Sequence, residues 1–180
     1  MKLTRDDVTL GTYLASFRVS AFRLECRQHY DNPTEREWFA RYLETGEVPV
    51  FTPDNDAWCK LVAEARAAGK AVQRVHLVQE PPSDYVRFEL ACQRASLDAG
   101  EDIRVIAFRN VEARPLGNHG HWGDFWLFDD AIVVRLEYDE AGRFLRPVAA
   151  SDPAPYRRCR DVAMARAVAF RQYRATLAAG

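Results

Sequence analysis

VQRVHLVQ (72–79) and DIRVIAF (102–108) read as two strands, and PPSDYVRFELACQRASLDAG (81–100) between them reads as one helix. In the first strand Val72, Arg74, His76 and Val78 alternate with Val75 and Leu77, the period of a pleated strand. The helix opens behind two prolines with Ser83 as its cap and stops at Gly100, where a left-handed residue ends the hydrogen-bond ladder. A strand, a helix and a strand within about 37 residues predict a right-handed βαβ crossover with parallel strands. A parallel pair must be covered, so this unit commits the chain to a sheet with helices laid on it.

The flanking sequence extends that sheet. SFRVSAFRLECR (16–27) places Phe22, Leu24 and Cys26 on one side and Arg23, Glu25 and Arg27 on the other, a half-buried strand with a charged face. Thr34 and Glu37 form a capping-box pattern for a helix with Trp38, Phe39 and Tyr42 on its apolar face, ended by Gly46. A second helix is predicted over about 55–68, with Trp58, Leu61, Val62 and Ala65 at helical spacing. After the βαβ unit, DFWLF, AIVVRLEY and GRFLRPV predict an antiparallel meander, turning at Asp129-Asp130 and again at Asp139–Gly142. A last helix, with Pro155 in its first turn, is predicted to run to about residue 176. The expected fold is therefore α/β (α+β): one domain over 1–180, with residues 1–15 as a loosely attached segment. At 180 residues and 48% hydrophobic, the chain is long enough to bury one core.

The charge balance narrows the partners. A formal net charge of −1 and a pI near 6.4 argue against direct nucleic-acid or anionic-membrane binding, which want clustered Lys and Arg. Cys26, Cys59, Cys92 and Cys159 form no CxxC pair and sit among apolar neighbours, as free thiols in a reducing compartment do. With no long apolar run and acids in its opening residues, the chain is expected to be cytoplasmic.

Tested against known chemistry, most motifs fail. The first βα turn, EPPSDY, has no glycine and two residues without N–H groups, so it offers no phosphate cradle and no dinucleotide cofactor is expected. His119 and His121 form HxH near Asp124, but glycines surround them and no second ligand motif follows, so no metal is expected either. There is no GxSxG elbow. His76 reads as a core or sheet-edge histidine and His29 as a surface one. The best constellation joins helix 83–99 to the FRLE strand. Glu89 lies beside an apolar stripe of Val86, Leu90 and Leu97, next to Tyr85, and a carboxylate there needs a partner. Arg23 or Arg104 is the expected one. The network either fixes how the helix lies on the sheet or lines a polar pocket for a small ligand.

DFWLFDD (124–130) is the most distinctive stretch. Phe125 and Leu127 are expected to face one layer, Trp126 and Phe128 the other, with Asp124 and Asp129 at the two ends. Burying four such side chains is worth about 6–12 kcal/mol before entropy, which favours packing over a solvent-lined cleft.

The ordered motifs AFRLE (21–25), YDNPTERE (30–37), RVHLVQEPPSDYVRFEL (74–90), AGEDIRVI (99–106), DFWLFDD, YDEAGRF (138–144) and DPAPYRRCRDVAMARAVAF resemble an actinobacterial family of unknown function. The resemblance runs from about Ser16 to Tyr173 and matches at Arg23, Glu25, Tyr85, Arg87, Glu89, Asp124, Trp126 and Asp129; the NHGHWG segment departs from it. It implies an accessory role beside helix-turn-helix regulators, in a regulatory or toxin–antitoxin-like module. A more distant likeness is to half of a phospholipase D-like domain, but the HxK motif of that chemistry is absent: Leu77-Val78 follow His76, and Gly120-His121 follow His119. That likeness implies a non-catalytic relative.

The expectation is a non-catalytic accessory protein that binds a protein partner, with a helix-turn-helix regulator as candidate, or a small ligand, through the eight residues named. The rival is a hydrolase or transferase with a cleft at Tyr85, Arg87, Glu89 and Asp129, with or without a metal at His119 and His121.

Overall fold

The computed structural model describes residues 10–109, 116 and 123–178. In chain order these form α1 (Leu10–Ser16), β1 (Ser20–Glu25), α2 (Arg36–Thr45), α3 (Ala57–Ala67), β2 (Ala71–Gln79), α4 (Asp84–Ala99) and β3 (Asp102–Phe108). Then follow β4 (Phe125–Phe128), β5 (Ile132–Tyr138), β6 (Phe144–Ala150), α5 (Ala154–Arg166), β7 (Val168–Ala169) and α6 (Phe170–Ala178). All seven strands share one mixed sheet, in the order β6-β5-β4-β1-β2-β3-β7. β1, β2 and β3 are parallel neighbours, and β4, β5 and β6 continue from β1 as an antiparallel meander. The chain is a single α+β domain. None of its described helices is long and apolar enough to cross a membrane.

Alternation decides the two layers. Phe22, Leu24, Val75, Leu77, Phe125 and Leu127 pack on one face against Tyr156, Cys159 and Ala163 of α5. On the other face Ala21, Val72, Trp126 and Phe128 meet Val62 and Ala65 of α3, while Val78, Ile103 and Val105 meet Val86 and Leu90 of α4. β4 therefore splits its side chains as its alternation predicts, and all four are buried. At its end Asp129 and Asp130 both take left-handed φ, 51° and 56°, as a tight primed hairpin turn requires. The Ser83 cap accepts from the Val86 N–H at 3.2 Å, and Gly100 closes α4 at φ 118°.

Three expectations change. α5 does not run on to residue 176. At Ala167 the backbone turns extended (φ −75°, ψ 141°), and Val168–Ala169 pair antiparallel with Val105 and Arg104. This strand covers the otherwise open edge of β3 and carries the chain across it, so that Phe170 and Tyr173 of α6 pack beside α4. The Thr34–Glu37 capping box does not form either. Asn32 Oδ1 accepts the Thr34 N–H instead, and α2 begins after Glu35, whose side chain is drawn away to Tyr85. Finally, the last part of the segment expected to be loose is α1, whose Leu10, Tyr13 and Leu14 pack on the core, with Tyr13 stacked on Phe128. Residues 1–9 lie outside the described ones.

Asp129 ties this layer to β1. Its carboxylate accepts from the backbone N–H groups of Arg18, Val19 and Ser20 at 2.7–3.1 Å, capping the start of the central strand. Asp129→Ala removes these acceptors and also places an alanine at positive φ. It is expected to cost about 1–2 kcal/mol, by analogy with a lost helix cap, and Asp129→Asn less. Urea midpoints check this, and an unchanged midpoint for the alanine variant would contradict the assigned role.

Candidate functional site

The helix-covered face of β1 and β2 carries ionisable groups where an apolar core would be expected. Arg23 and Glu25 alternate on β1, and Arg74 and His76 on β2, with Arg23 opposite Arg74 and Glu25 opposite His76 in the parallel register. Arg23, Glu25 and His76 are all buried, His76 completely. Their charges survive because they are linked in series. Arg23 Nη2 donates to Asp124 Oδ2 at 2.8 Å, and its Nε lies 3.6 Å from Glu25. Arg74 donates to Glu25 at 2.7 Å and to Glu101 at 2.8 Å, and Glu101 accepts the indole N–H of Trp58 at 3.0 Å. Asp124 also accepts from the Tyr30 hydroxyl and from the Cys26 N–H at 2.9 Å. Aromatic faces complete the packing: Arg23 lies over Trp126 and Arg74 over Trp58, and the two indoles meet edge to face at 5.5 Å.

These surroundings set the protonation states. Burial alone would push the Glu25 carboxyl up, but Arg74 and then Arg23 outweigh it and bring it down to about 2. Burial likewise opposes the charge on Arg23 and Arg74, and Asp124 and Glu101 respectively overcome it, so both guanidiniums are held above their ordinary values. His76 goes the other way: burial lowers it despite Glu25, and it stays neutral. Glu89 receives no cation. Burial, then Glu25 and Glu35, raise its carboxyl well above the ordinary range.

Two cavities open on this cluster. The inner one, about 240 Å³, lies between α2, α3 and α4 and is lined by Trp38, Phe51, Trp58, Arg74 and Gln93. The outer one, about 530 Å³, is lined by Arg23, Tyr30, Tyr85, Tyr138 and Phe144. Glu25, Glu35 and Glu89 line both. The 26–35 loop forms the outer wall. Tyr85 donates to Glu35 at 3.0 Å, and the Asp31 N–H donates to the Gly142 carbonyl at 3.0 Å. Gly142, at φ 89°, must be glycine for that contact, since a Cβ would stand 2.8 Å from the His29 carbonyl.

Of the eight residues expected at a site, Arg23, Glu25, Tyr85, Glu89, Asp124 and Trp126 converge here. Two do not. Arg87 is exposed, donating to the Pro82 carbonyl on the far side of α4, and Asp129 sits at the other end of β4 from Asp124. Glu89 meets neither expected arginine: Arg23 is taken by Asp124, and Arg104 pairs with Asp102 on the opposite face of the sheet. It lies instead beside His76, with Nε2 at 3.9 Å. Arg74, His76, Gln93, Glu101, Tyr30 and Glu35 were not among the expected site residues. For Arg74 and His76 a signal existed, because two ionisable residues alternate with valines on the covered face of a central strand. His29 is exposed and rests edge-on against Tyr85. His119 and His121 lie outside the described residues, among which no group of three or more His, Cys, Asp or Glu could hold a metal ion.

Sheet, helices and buried cluster together define a single-domain α+β protein with a charged interior open to two cavities. Residues 9–175 match the family described as domain of unknown function DUF6879, and the chain belongs to it. No curated protein and no solved structure matches the chain.

The opposite protonation of Glu25 and Glu89 has a measurable sign. A carboxyl whose folded value is raised stabilises the fold below its unfolded value, near 4.5, and that contribution is lost as pH rises through the folded value. Glu89→Gln, which cannot ionise, is therefore expected to gain stability over the natural protein progressively from pH 4.5 towards 8. Parallel melting curves across that range would show that Glu89 ionises freely in the folded state.

Proposed function

We propose that this domain is a non-catalytic binding module that receives a small polar ligand in the paired cavities and presents the occupied state to a protein partner. One observation carries the first half of the reading. Arg23 Nη1, His76 Nε2, Glu89 Oε2 and Gln93 Oε1 are buried polar atoms without a hydrogen-bond partner in the protein. They are gathered in one place: Arg23, His76 and Gln93 each approach Glu25 within 3.8 Å, and Glu89 approaches His76. An unmet buried polar group costs about 1–3 kcal/mol, so four together are a large burden unless something fills them. Their position at the carboxyl end of β1, where α/β sheets hold ligands, supports the same reading.

The partner half rests on the edge strand. Phe144 and Leu145 of β6 are exposed, and Phe144 also lines the outer cavity, so occupancy and edge share a side chain. The resemblance to proteins accompanying helix-turn-helix regulators makes such a regulator the candidate. In the test, small molecules released on denaturing the purified protein are weighed and counted. One polar species at near one per chain is expected, absent from a Cys92→Phe variant that fills the inner cavity. Release of no small molecule, with no thermal shift from a library of polar metabolites, would overturn the proposal.

A second reading has one observation behind it. Two carboxyls on one cavity wall, one ionised and one protonated, is how acid–base pairs are arranged in hydrolases. The pair would be Glu25 and Glu89 beside Tyr85, since Arg87 and Asp129 line neither cavity. If so, Glu89→Gln is expected to abolish turnover of the released ligand. If the ligand instead leaves the natural protein chemically unchanged after prolonged incubation, binding alone stands.

A further inference from the structure

We infer that the ligand is a small organic cation, a primary ammonium or guanidinium, held in the inner cavity with Glu89 as its counter-ion. The inference rests on the reading of the paired cavities as a ligand site and specifies what that site selects.

Charge matching inside the domain leaves one carboxyl over. Arg23 and Arg74 face Asp124, Glu25 and Glu101, and every one of those carboxylates touches a guanidinium. Both arginines are committed: Arg74 Nε and Nη1 to Glu101 and Glu25, Arg23 Nη2 to Asp124. Glu35 is served by neutral donors, Tyr85 and Asn32. Among the described residues Glu89 touches no guanidinium, and the neutral His76 stands 3.9 Å from it.

Two residues of the inner wall carry unmet buried atoms, Glu89 Oε2 and Gln93 Oε1. Gln93 is itself 7% exposed, and with Glu89 ionised both atoms are acceptors, so the group that satisfies them is a donor. The wall carries Glu25, Glu35, Asp56 and Glu89 against Arg74 alone, which repels an anion. Its aromatic residues are Trp38, Phe51, Trp58 and Phe88, and aromatic rings attract organic cations. A neutral alcohol would satisfy the acceptors but leave Glu89 protonated and the aromatic faces without a charge.

Binding then displaces a proton from Glu89. The groups facing that carboxyl are His76 and Arg74 from β2, Glu25 from β1, Glu35 ahead of α2, Asp124 ahead of β4, Tyr30 from the loop, and Tyr85 and Cys92 on α4 itself. Of these, His76 is the one whose ordinary titration range overlaps neutral pH, and burial holds it neutral.

The test uses the full chain and four probes of one size: butylammonium, butylguanidinium, 1-butanol and butyrate. Binding is followed by the indole N–H signals of Trp38 and Trp58 and by calorimetry in two buffers of different ionisation enthalpy. The cations are expected to shift the indoles, to bind at least about tenfold more tightly than the other two, and to release protons. Glu89→Gln, an isosteric change, is expected to cost the cations about tenfold and to end the proton release, with Gln93→Leu as a second, weaker loss. Butanol or butyrate binding as tightly at the same indoles would overturn the cation assignment while leaving the cavity a ligand site. Undiminished cation binding by Glu89→Gln would overturn the role of Glu89. No shift of either indole with any probe would overturn both the assignment and the cavity reading beneath it.

Discussion

The contact between Glu25 and Arg74 is the one on which the interior depends. It spans the parallel β1–β2 pair, and through it the two arginines and three carboxylates become one connected system instead of separate buried charges. A lone ion in that position would cost several kcal/mol, and pairing with good geometry offsets it without turning it into a large net gain. What the network contributes is definition. Sliding β2 by one residue against β1 would send Arg74 and His76 to the α5 side and bring Val75 and Leu77 under α3 and α4, leaving Glu25 without its closest cation. Register is thus enforced by charge as well as by hydrophobicity.

β4 supplies the complementary constraint. Its four side chains divide between the two layers, and Trp126 and Phe128 stack at 5.6 Å beneath α3. The strand is scaffold, yet its two flanking aspartates perform unlike tasks. Asp129 caps the backbone entry to β1, while Asp124 receives Arg23, Tyr30 and the Cys26 N–H as β1 ends. The same short strand fixes where β1 begins and where its charge is neutralised.

Local chemistry made much of this legible in advance. Alternation in VQRVHLVQ and DFWLF, the Ser83 cap and the Gly100 stop are signals written within a few residues, and the strands and α4 follow them closely. The break at Ala167 carries no such mark, since RAVAF contains neither glycine nor proline; it arises because β3 needs an edge partner. The site divides along the same line. That Arg23 and Glu25 share one face of β1 follows from alternation; that this face is covered does not, and the strand expected to be half-buried is buried on both sides. That Tyr30, Glu35 and Glu101 are their neighbours depends on loops 26–35 and 100–101 arriving from elsewhere, which no local pattern encodes. Asp124 and Asp129 look alike in sequence and part company only once β4 is laid antiparallel on β1.

The network also explains why a fourth carboxyl cannot be absorbed. Arg74 is flanked by Glu25 and Glu101, and Arg23 by Glu25 and Asp124, so each guanidinium already faces two carboxylates before Glu89 enters from α4. A glutamine or leucine at position 89 would relieve the electrostatic load at no cost in pairing, and a core under selection for stability alone would carry one. The carboxyl is instead held well above its ordinary range by burial, beside an imidazole and two cavities, with an unmet oxygen. On the binding reading proposed above, a matching charge from outside would relieve that load. Tethering and the spare carboxyl are therefore parts of one arrangement: the carboxylates that meet Arg23 and Arg74 leave Glu89 without a guanidinium of its own.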